Sequence, residues 1–297
     1  MKIQQKERLA LLQYPWIAVS LIGVAGIIGL VVFKLFIPSL TLASDTETNT
    51  FLATNSHDWF DDENWSKGEI PTKYHLVKIP KEVKKDISFS RNEPIEVSGL
   101  EILGRVSCTF EHAVDIAGDV IVSAAKAKLE IKDKLTVGGN LLVFQQSALT
   151  FSSGCEVEIQ EDLSIEKSEV RLEGGKLSIH GNLELRRESS YFIQSKGILQ
   201  VAGLTQLLGS YNQPNVLKLE GGQSFFDGDI VFAKEATSYN QNAWLKIDGG
   251  QVRISSVVRV IPGAELDPMD IKIELKSADK MTKNEKFAFV KKFFKIQ

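Results

Sequence analysis

The sequence predicts an all-β fold: a single-stranded, right-handed parallel β-helix of about 7–8 coils, roughly 21 residues each, behind one N-terminal transmembrane helix. Three observations lead there. Short strand-like triplets recur from about residue 100 onward, a dipeptide marker returns at a nearly fixed interval, and a 25-residue run near the N-terminus carries no charge. They divide the chain into a cytoplasmic basic flank (1–8), a membrane segment (9–36), a tether (37–56), an N-terminal cap with the first coil (57–104), the β-helix (105–265) and a C-terminal cap (266–297).

The flank holds Lys2, Lys6 and Arg8 against Glu7, and residues 9–33 (LALLQYPWIAVSLIGVAGIIGLVVF) follow without a charged side chain. As a helix this run is about 37 Å long, enough to cross a hydrocarbon core of about 30 Å with some tilt. Tyr14 and Trp16 lie near one end, where amphipathic rings favour the headgroup level. The positive flank comes first, so the N-terminus is expected to be cytoplasmic and the remainder extracytoplasmic. The competing reading is a cleaved signal peptide, with Thr41-Leu42-Ala43 before Ser44 as the small-residue site. The apolar run is longer than a normal signal-peptide core, and Lys34 interrupts it ahead of that site, so an uncleaved anchor is preferred. A buried core helix is the third reading. The Thr-rich, aperiodic segment that follows reads as a tether.

In the repeat region, triplets such as Leu129–Ile131, Leu135–Val137, Val157–Ile159, Leu163–Ile165, Leu177–Ile179, Leu183–Leu185 and Leu199–Val201 alternate apolar and polar residues. That alternation marks half-buried strands, and Gly, Asn and Asp between them mark turns. The marker is sharper. Gly118-Asp119-Val120, Gly139-Asn140-Leu141, Glu161-Asp162-Leu163, Gly181-Asn182-Leu183, Ala202-Gly203-Leu204 and Gly228-Asp229-Ile230 follow at spacings of 21, 22, 20, 21 and 26 residues. Ser256-Val257-Val258 adds a degenerate copy 28 residues on. The wide intervals hold the polar insertions GSYNQPN and KEATSYNQNA, which read as loops leaving a regular coil. Residues 170–185, 217–232 and 245–260 also overlay without gaps as strand, Gly-Gly or Asp-Gly-Gly corner, strand, turn and strand.

Self-similarity at this period marks a solenoid. No helical stretch separates the strands, which excludes ankyrin, tetratricopeptide and other helical repeats, and the leucine-rich order LxxLxLxxN is missing. A stacked parallel β-helix remains, with an antiparallel sandwich as the other candidate fold. Leu129, Ile131, Leu163, Ile165, Leu177, Ile179, Leu183 and Leu185 are the expected inward columns. Lys128, Glu130, Lys132, Glu156, Glu158, Arg171, Glu173, Lys218, Glu220, Lys246 and Asp248 are expected outside, as a solvated face or a shallow strip for saccharide or ions.

A solenoid needs atypical ends, because end coils expose apolar area and unpaired edges. Trp59, Trp65, Gly68 and Pro71 suit the first end: two aromatic plates, then a turn into Leu76–Ile79. The pattern Trp59-x5-Trp65-x2-Gly68-x2-Pro71-x5-Val77-x-Ile79 resembles the module that opens many secreted bacterial β-helix and autotransporter-like surface proteins. It is also similar to the start of the eight-glycine extracellular domain. The likeness covers residues 57 to about 104, with Tyr74-His75 where an Asp usually precedes the valine and with fewer glycines. The resemblance implies an extracytoplasmic β-helix with a capping first coil, and does not by itself imply an enzyme. A carbohydrate-stacking platform is the other reading of the tryptophans. Asn64-Trp65-Ser66 is formally a glycosylation sequon. At the far end, Phe287, Phe289, Phe293 and Phe294 alternate with lysines as a closing strand or an amphipathic helix.

Signals for chemistry are sparse. Net charge is -3, which speaks against a nucleic-acid partner. Asp119, Asp162 and Asp229 fall at turn positions that favour Asp anyway. His57, His75, His112 and His180 lack metal-ligand spacing, and the run Asp58–Asn64 lacks the order of a calcium loop. Cys108 and Cys155 occupy different columns and read as buried small hydrophobes. No catalytic, cofactor-binding or metal-ligating residue is assigned. The expected partners are the lipid bilayer through residues 9–33, envelope proteins or glycans, and other copies of the chain. The expected role is structural, adhesive or scaffolding. The alternative is a polysaccharide-binding or polysaccharide-degrading enzyme working along the outer face.

Overall fold

Strict alternation over three to five residues sends every second side chain inward, and corners between such short strands let one coil stack on the next. The computed structural model describes residues 46–209, 213–234, 243–260 and 271–275. They form three parallel sheets, and from Gly99 onward each full coil contributes one strand to each sheet. Sheet A has ten strands, running Glu47–Thr50, His75–Ile79, Gly99–Ile102, Val120–Ser123, Leu141–Phe144, Leu163–Glu166, Leu183–Arg186, Thr205–Gly209, Ile230–Lys234 and Val258–Val260. Sheet B has eight, from Ser107–Phe110 to Ile271–Leu275. Sheet C has eight, from Ile95–Val97 to Gln251–Ile254. About seven turns result. Nine steps along sheet A, at about 4.8 Å each, give a length of about 43 Å.

Every ladder between named strands is parallel, which excludes the sandwich. The eight expected inward residues are all buried. They belong to columns such as Leu129–Leu149–Val170–Phe192–Leu217–Leu245 in sheet B. A single coil exposes half of each strand, so stability comes from neighbour on neighbour.

The marker dipeptide sits just ahead of the sheet A strands from Val120–Ser123 to Ile230–Lys234. Asn140 N–H donates to Asp119 Oδ1 at 2.7 Å, Asp162 N–H to Asn140 Oδ1 at 3.2 Å, Asn182 N–H to Asp162 Oδ1 at 2.7 Å, and Leu204 N–H to Asn182 Oδ1 at 2.8 Å. Each rung's side chain therefore takes up the next rung's backbone donor. Leu204 occupies a rung, so the column position after it is Thr205, not Leu204. Register runs Leu183–Thr205–Ile230, and the steps are 22 and 25 residues rather than 21 and 26. Leu204 is exposed and Thr205 is buried. Hydrophobicity alone selected the wrong residue, because the hydrogen-bond ladder fixes the register here. Thr205 Oγ1 is buried with no hydrogen-bond partner among the described residues. Thr205→Val is expected to raise the urea midpoint, by about 1 kcal/mol of stability, since it removes a desolvated hydroxyl at constant shape. A lower midpoint would show that the hydroxyl has a partner.

Other corners carry their own devices. Ser147, Ser168, Ser190 and Asn215 form a buried polar column where sheet A passes into sheet B. Their side chains bond to carbonyls and to each other's backbone, as in Ser190 N–H to Asn215 Oδ1 at 3.0 Å. The corner between sheets B and C carries Gly154, Gly175, Gly197, Gly222 and Gly250, all at positive φ. This column explains the gapless overlay. The coil between the first two overlaid segments uses Ser195-Lys196-Gly197 instead and keeps only the second glycine.

The N-terminal boundaries differ from the expected ones. Residues 46–56 do not form a tether: Glu47–Thr50 is the first strand of sheet A, paired with His75–Ile79. Phe51 is buried in the cap beneath Trp65. At the other end Ile271–Leu275 continues sheet B past residue 265. The remainder of the expected C-terminal cap, and residues 9–33, lie outside the described residues. Among the described residues no helix is long and apolar enough to cross a membrane.

Candidate functional site

The stretch from Asp58 to Pro71, expected to cap the first coil with a carbohydrate platform as the other reading, forms a lid. Trp59 and Trp65 are buried and meet edge to face, with centroids 4.9 Å apart at 75°. Trp65 Nε1–H donates to Trp59 O at 2.7 Å. Phe89 stacks on Trp59 at 5.5 Å and meets Phe110 of the first sheet B strand edge-on. Neither tryptophan offers a coplanar exposed face, so the sugar-platform reading fails. Segment 64–69 also runs along the open edge of Glu47–Thr50. Ser66 N–H donates to Thr50 O, Thr50 N–H to Ser66 Oγ, and Asn49 bonds Glu69 O and Lys67 N–H. His75 stands in the position before Leu76-Val77, and its Nδ1 accepts Thr72 N–H at 3.0 Å.

The acidic run is used internally. Burial acts to raise the Asp58 carboxyl, but donors from Ser90 and Phe60 and the nearby Arg91 charge outweigh it and hold it below the usual range. Asp58 Oδ2 accepts Ser90 Oγ–H, and Asp61 Oδ2 accepts from Ser56 and Asn55. Among the described residues no group of three His, Cys, Asp or Glu side chains is placed to hold a metal ion.

The expected outer strip is laced by ion pairs, several crossing from coil to coil. Lys132 pairs with Glu111 at 3.0 Å, and Lys218 pairs with Glu220 at 2.5 Å and with Asp248 at 3.8 Å, while His180 Nε2 is hydrogen-bonded to Glu158 at 2.8 Å. The hydrogen bond from His180 holds the Glu158 carboxyl below its ordinary value. Asp119 and Asp162 are the ladder rungs already described, and Asp229 Oδ1 accepts Val257 N–H. Glu184 is the nearest approach to a catalytic carboxyl. Burial pushes it up, Arg186 at 2.9 Å pulls it back, and the Asp162 charge adds to the rise. It lines neither of two depressions found among the described residues beside segment 80–85.

Those depressions lie on either side of segment 80–85. One is bounded by Phe51, Ala53, His57, Val83 and Lys85. The other is bounded by Lys81, Lys84, Arg105, Ser123, Ala124 and Gln145. None of the second group was singled out from the sequence. The available signals were the Lys81-x2-Lys84-Lys85 spacing and the run of small residues at Ser123-Ala124-Ala125.

Both cysteines are free and buried, in different parts of the coil: Cys108 within a sheet B strand and Cys155 at the corner leading into sheet C. Burial raises the Cys108 thiol far above its ordinary value, with the Asp86 charge adding to it, and pushes Cys155 up to about 11. Native protein at pH 8 is expected to react with a thiol-specific disulfide reagent at least about 100-fold more slowly than urea-unfolded protein. Fast labelling of the native state would contradict the buried placement.

The fold defines the chain as a parallel β-solenoid with an aromatic N-terminal lid. No family model matches it, and no curated protein or solved structure matches it.

Proposed function

We propose that the chain is a membrane-anchored, extracytoplasmic β-helix rod with a structural, adhesive or scaffolding role. The observation that carries this reading is the outer surface, where ion pairs join neighbouring coils at Lys132–Glu111 and Arg187–Glu166 and a hydrogen bond joins them at His180–Glu158. Pairs of this kind suit a rigid post more than a catalytic cleft. The uncharged run at 9–33 and its basic flank support an anchor with the N-terminus cytoplasmic. The Trp–Gly–Pro module at the lid supports an extracytoplasmic setting by its resemblance to bacterial surface β-helices. Partners of this reading are the lipid bilayer, envelope proteins or glycans, and further copies of the chain.

Fractionation with external protease tests it. The full-length chain should remain with membranes after a high-salt wash, and a C-terminal tag should be cleaved in intact spheroplasts. Soluble material beginning at Ser44 would replace the anchor with a signal peptide. Release of reducing ends from a polysaccharide panel by the purified chain would replace the scaffold with an enzyme.

A further inference from the structure

Along the corner where sheet A passes into sheet B, the cations of the middle coils are matched. Lys167 pairs with Glu188 at 3.1 Å, Arg187 with Glu166 at 3.0 Å and Arg186 with Glu184 at 2.9 Å. The same corner in the first coils is different. Lys81, Lys84 and Arg105 are exposed there, and none forms an ion pair among the described residues. Of the nearby acids, Glu101 pairs with Lys78, Asp86 accepts Ser107 N–H, and Glu82 lines the neighbouring depression, which Lys84 also borders.

The three cations border a recess, and its cause is local sequence. Register places Ser123 beside Phe144, and Phe144 leads into Gln145 and Gln146. The coil before that carries Ser123-Ala124-Ala125 at the corner, so small residues leave a floor below the Lys81, Lys84 and Arg105 rim, with Gln145 on the far wall. Ser123 and Ala124 are buried. Unmatched like charges around a concavity raise the local positive potential and attract an anion.

The geometry points to a binding groove for an acidic saccharide. Arg105 presents a planar fork suited to a carboxylate, Lys81 and Lys84 supply further charge, and Ser123 and Gln145 offer neutral hydrogen-bonding groups for hydroxyls. No aromatic ring lines the recess, so the stacking platform that single-stranded nucleic acid uses is missing. This goes beyond the scaffold reading and does not depend on the anchor.

The test uses the full-length chain in nonionic detergent against immobilised polygalacturonate, neutral dextran and single-stranded DNA. Polygalacturonate should bind, more weakly as salt rises, and dextran should not. The triple variant Lys81→Ser, Lys84→Ser, Arg105→Ser should bind polygalacturonate at least about tenfold more weakly, at unchanged thermal midpoint. A control triple, Lys134→Ser, Lys176→Ser, Lys196→Ser, makes the same change in net charge elsewhere and should lose less than about threefold. Ala125→Leu, which fills the recess and keeps every charge, should also weaken binding. Equal losses in the two triples, no effect of Ala125→Leu, no binding of polygalacturonate, or tighter binding of DNA would each overturn the assignment.

Discussion

Gly197→Ala is expected to destabilise the rod by about 2–5 kcal/mol, read as a lower urea midpoint of the full-length chain. Gly197 sits at φ +80, where a side chain is strained in any surroundings. Its surroundings add more. A Cβ there would lie 2.5 Å from Gly175 O and 2.7 Å from Gly174 C, both backbone atoms of the preceding coil. They cannot retreat freely, because Gly175 O accepts Ile198 N–H at 2.9 Å across the same interface. Gly154 separates the two contributions. It has φ +88 but nothing within 4 Å of a built Cβ, so Gly154→Ala should cost only about 1 kcal/mol. Equal costs at the two positions would show that the corner column does not depend on close coil-to-coil approach.

Trp65→Ala is expected to cost about 3–5 kcal/mol. The indole is buried, lies edge-on to both Phe51 and Trp59, and closes a hydrogen bond to Trp59 O. Its loss empties the middle of the lid and exposes the apolar end of the first coil. Trp65→Phe keeps a ring but leaves Trp59 O unpaired, so a smaller loss of about 1–2 kcal/mol should result. Tyr74, 62% exposed on the same cap, is the control, and Tyr74→Ala should fall within about 0.5 kcal/mol of the parent. An unchanged midpoint for Trp65→Ala would sink the lid assignment.

The coil was readable because two periodicities coincide. Alternation selected the inward residues correctly at Leu129, Ile131, Leu163, Ile165, Leu177, Ile179, Leu183 and Leu185. The Asn and Asp rungs fixed the interval, since a side-chain acceptor is needed once per turn at the same corner. Reading failed where a residue was chosen for hydrophobicity alone. Leu204 looked inward and Thr205 did not, yet the rung hydrogen bond to Asn182 decides their places. It also had no means of seeing Gln194. This residue stands in a core column between Leu172 and Leu219, with Ser224 Oγ–H on its Oε1 at 2.6 Å and its amide on the carbonyls of Gly197 and Gln223. Two polar residues 30 positions apart compensate each other there, and neither predicts the other in a linear reading. The first strand was missed because Glu47–Thr50 lacks an apolar alternation of its own. It is held by pairing with His75–Ile79 and by the lid segment. The recess was missed because it arises from small residues in one coil against long cations in two others, a relation that appears only when coils are stacked.

The lid segment along Glu47–Thr50 has a consequence for growth. Its bonds to Thr50 take up that residue's N–H and C=O, which a further parallel strand would need. Addition of a further strand is hindered along that edge. The rod therefore has a direction. When coils are laid down in chain order, the sealed end forms first and all later extension proceeds from one side. Pairing of two molecules edge to edge through Glu47–Thr50 meets the same obstacle.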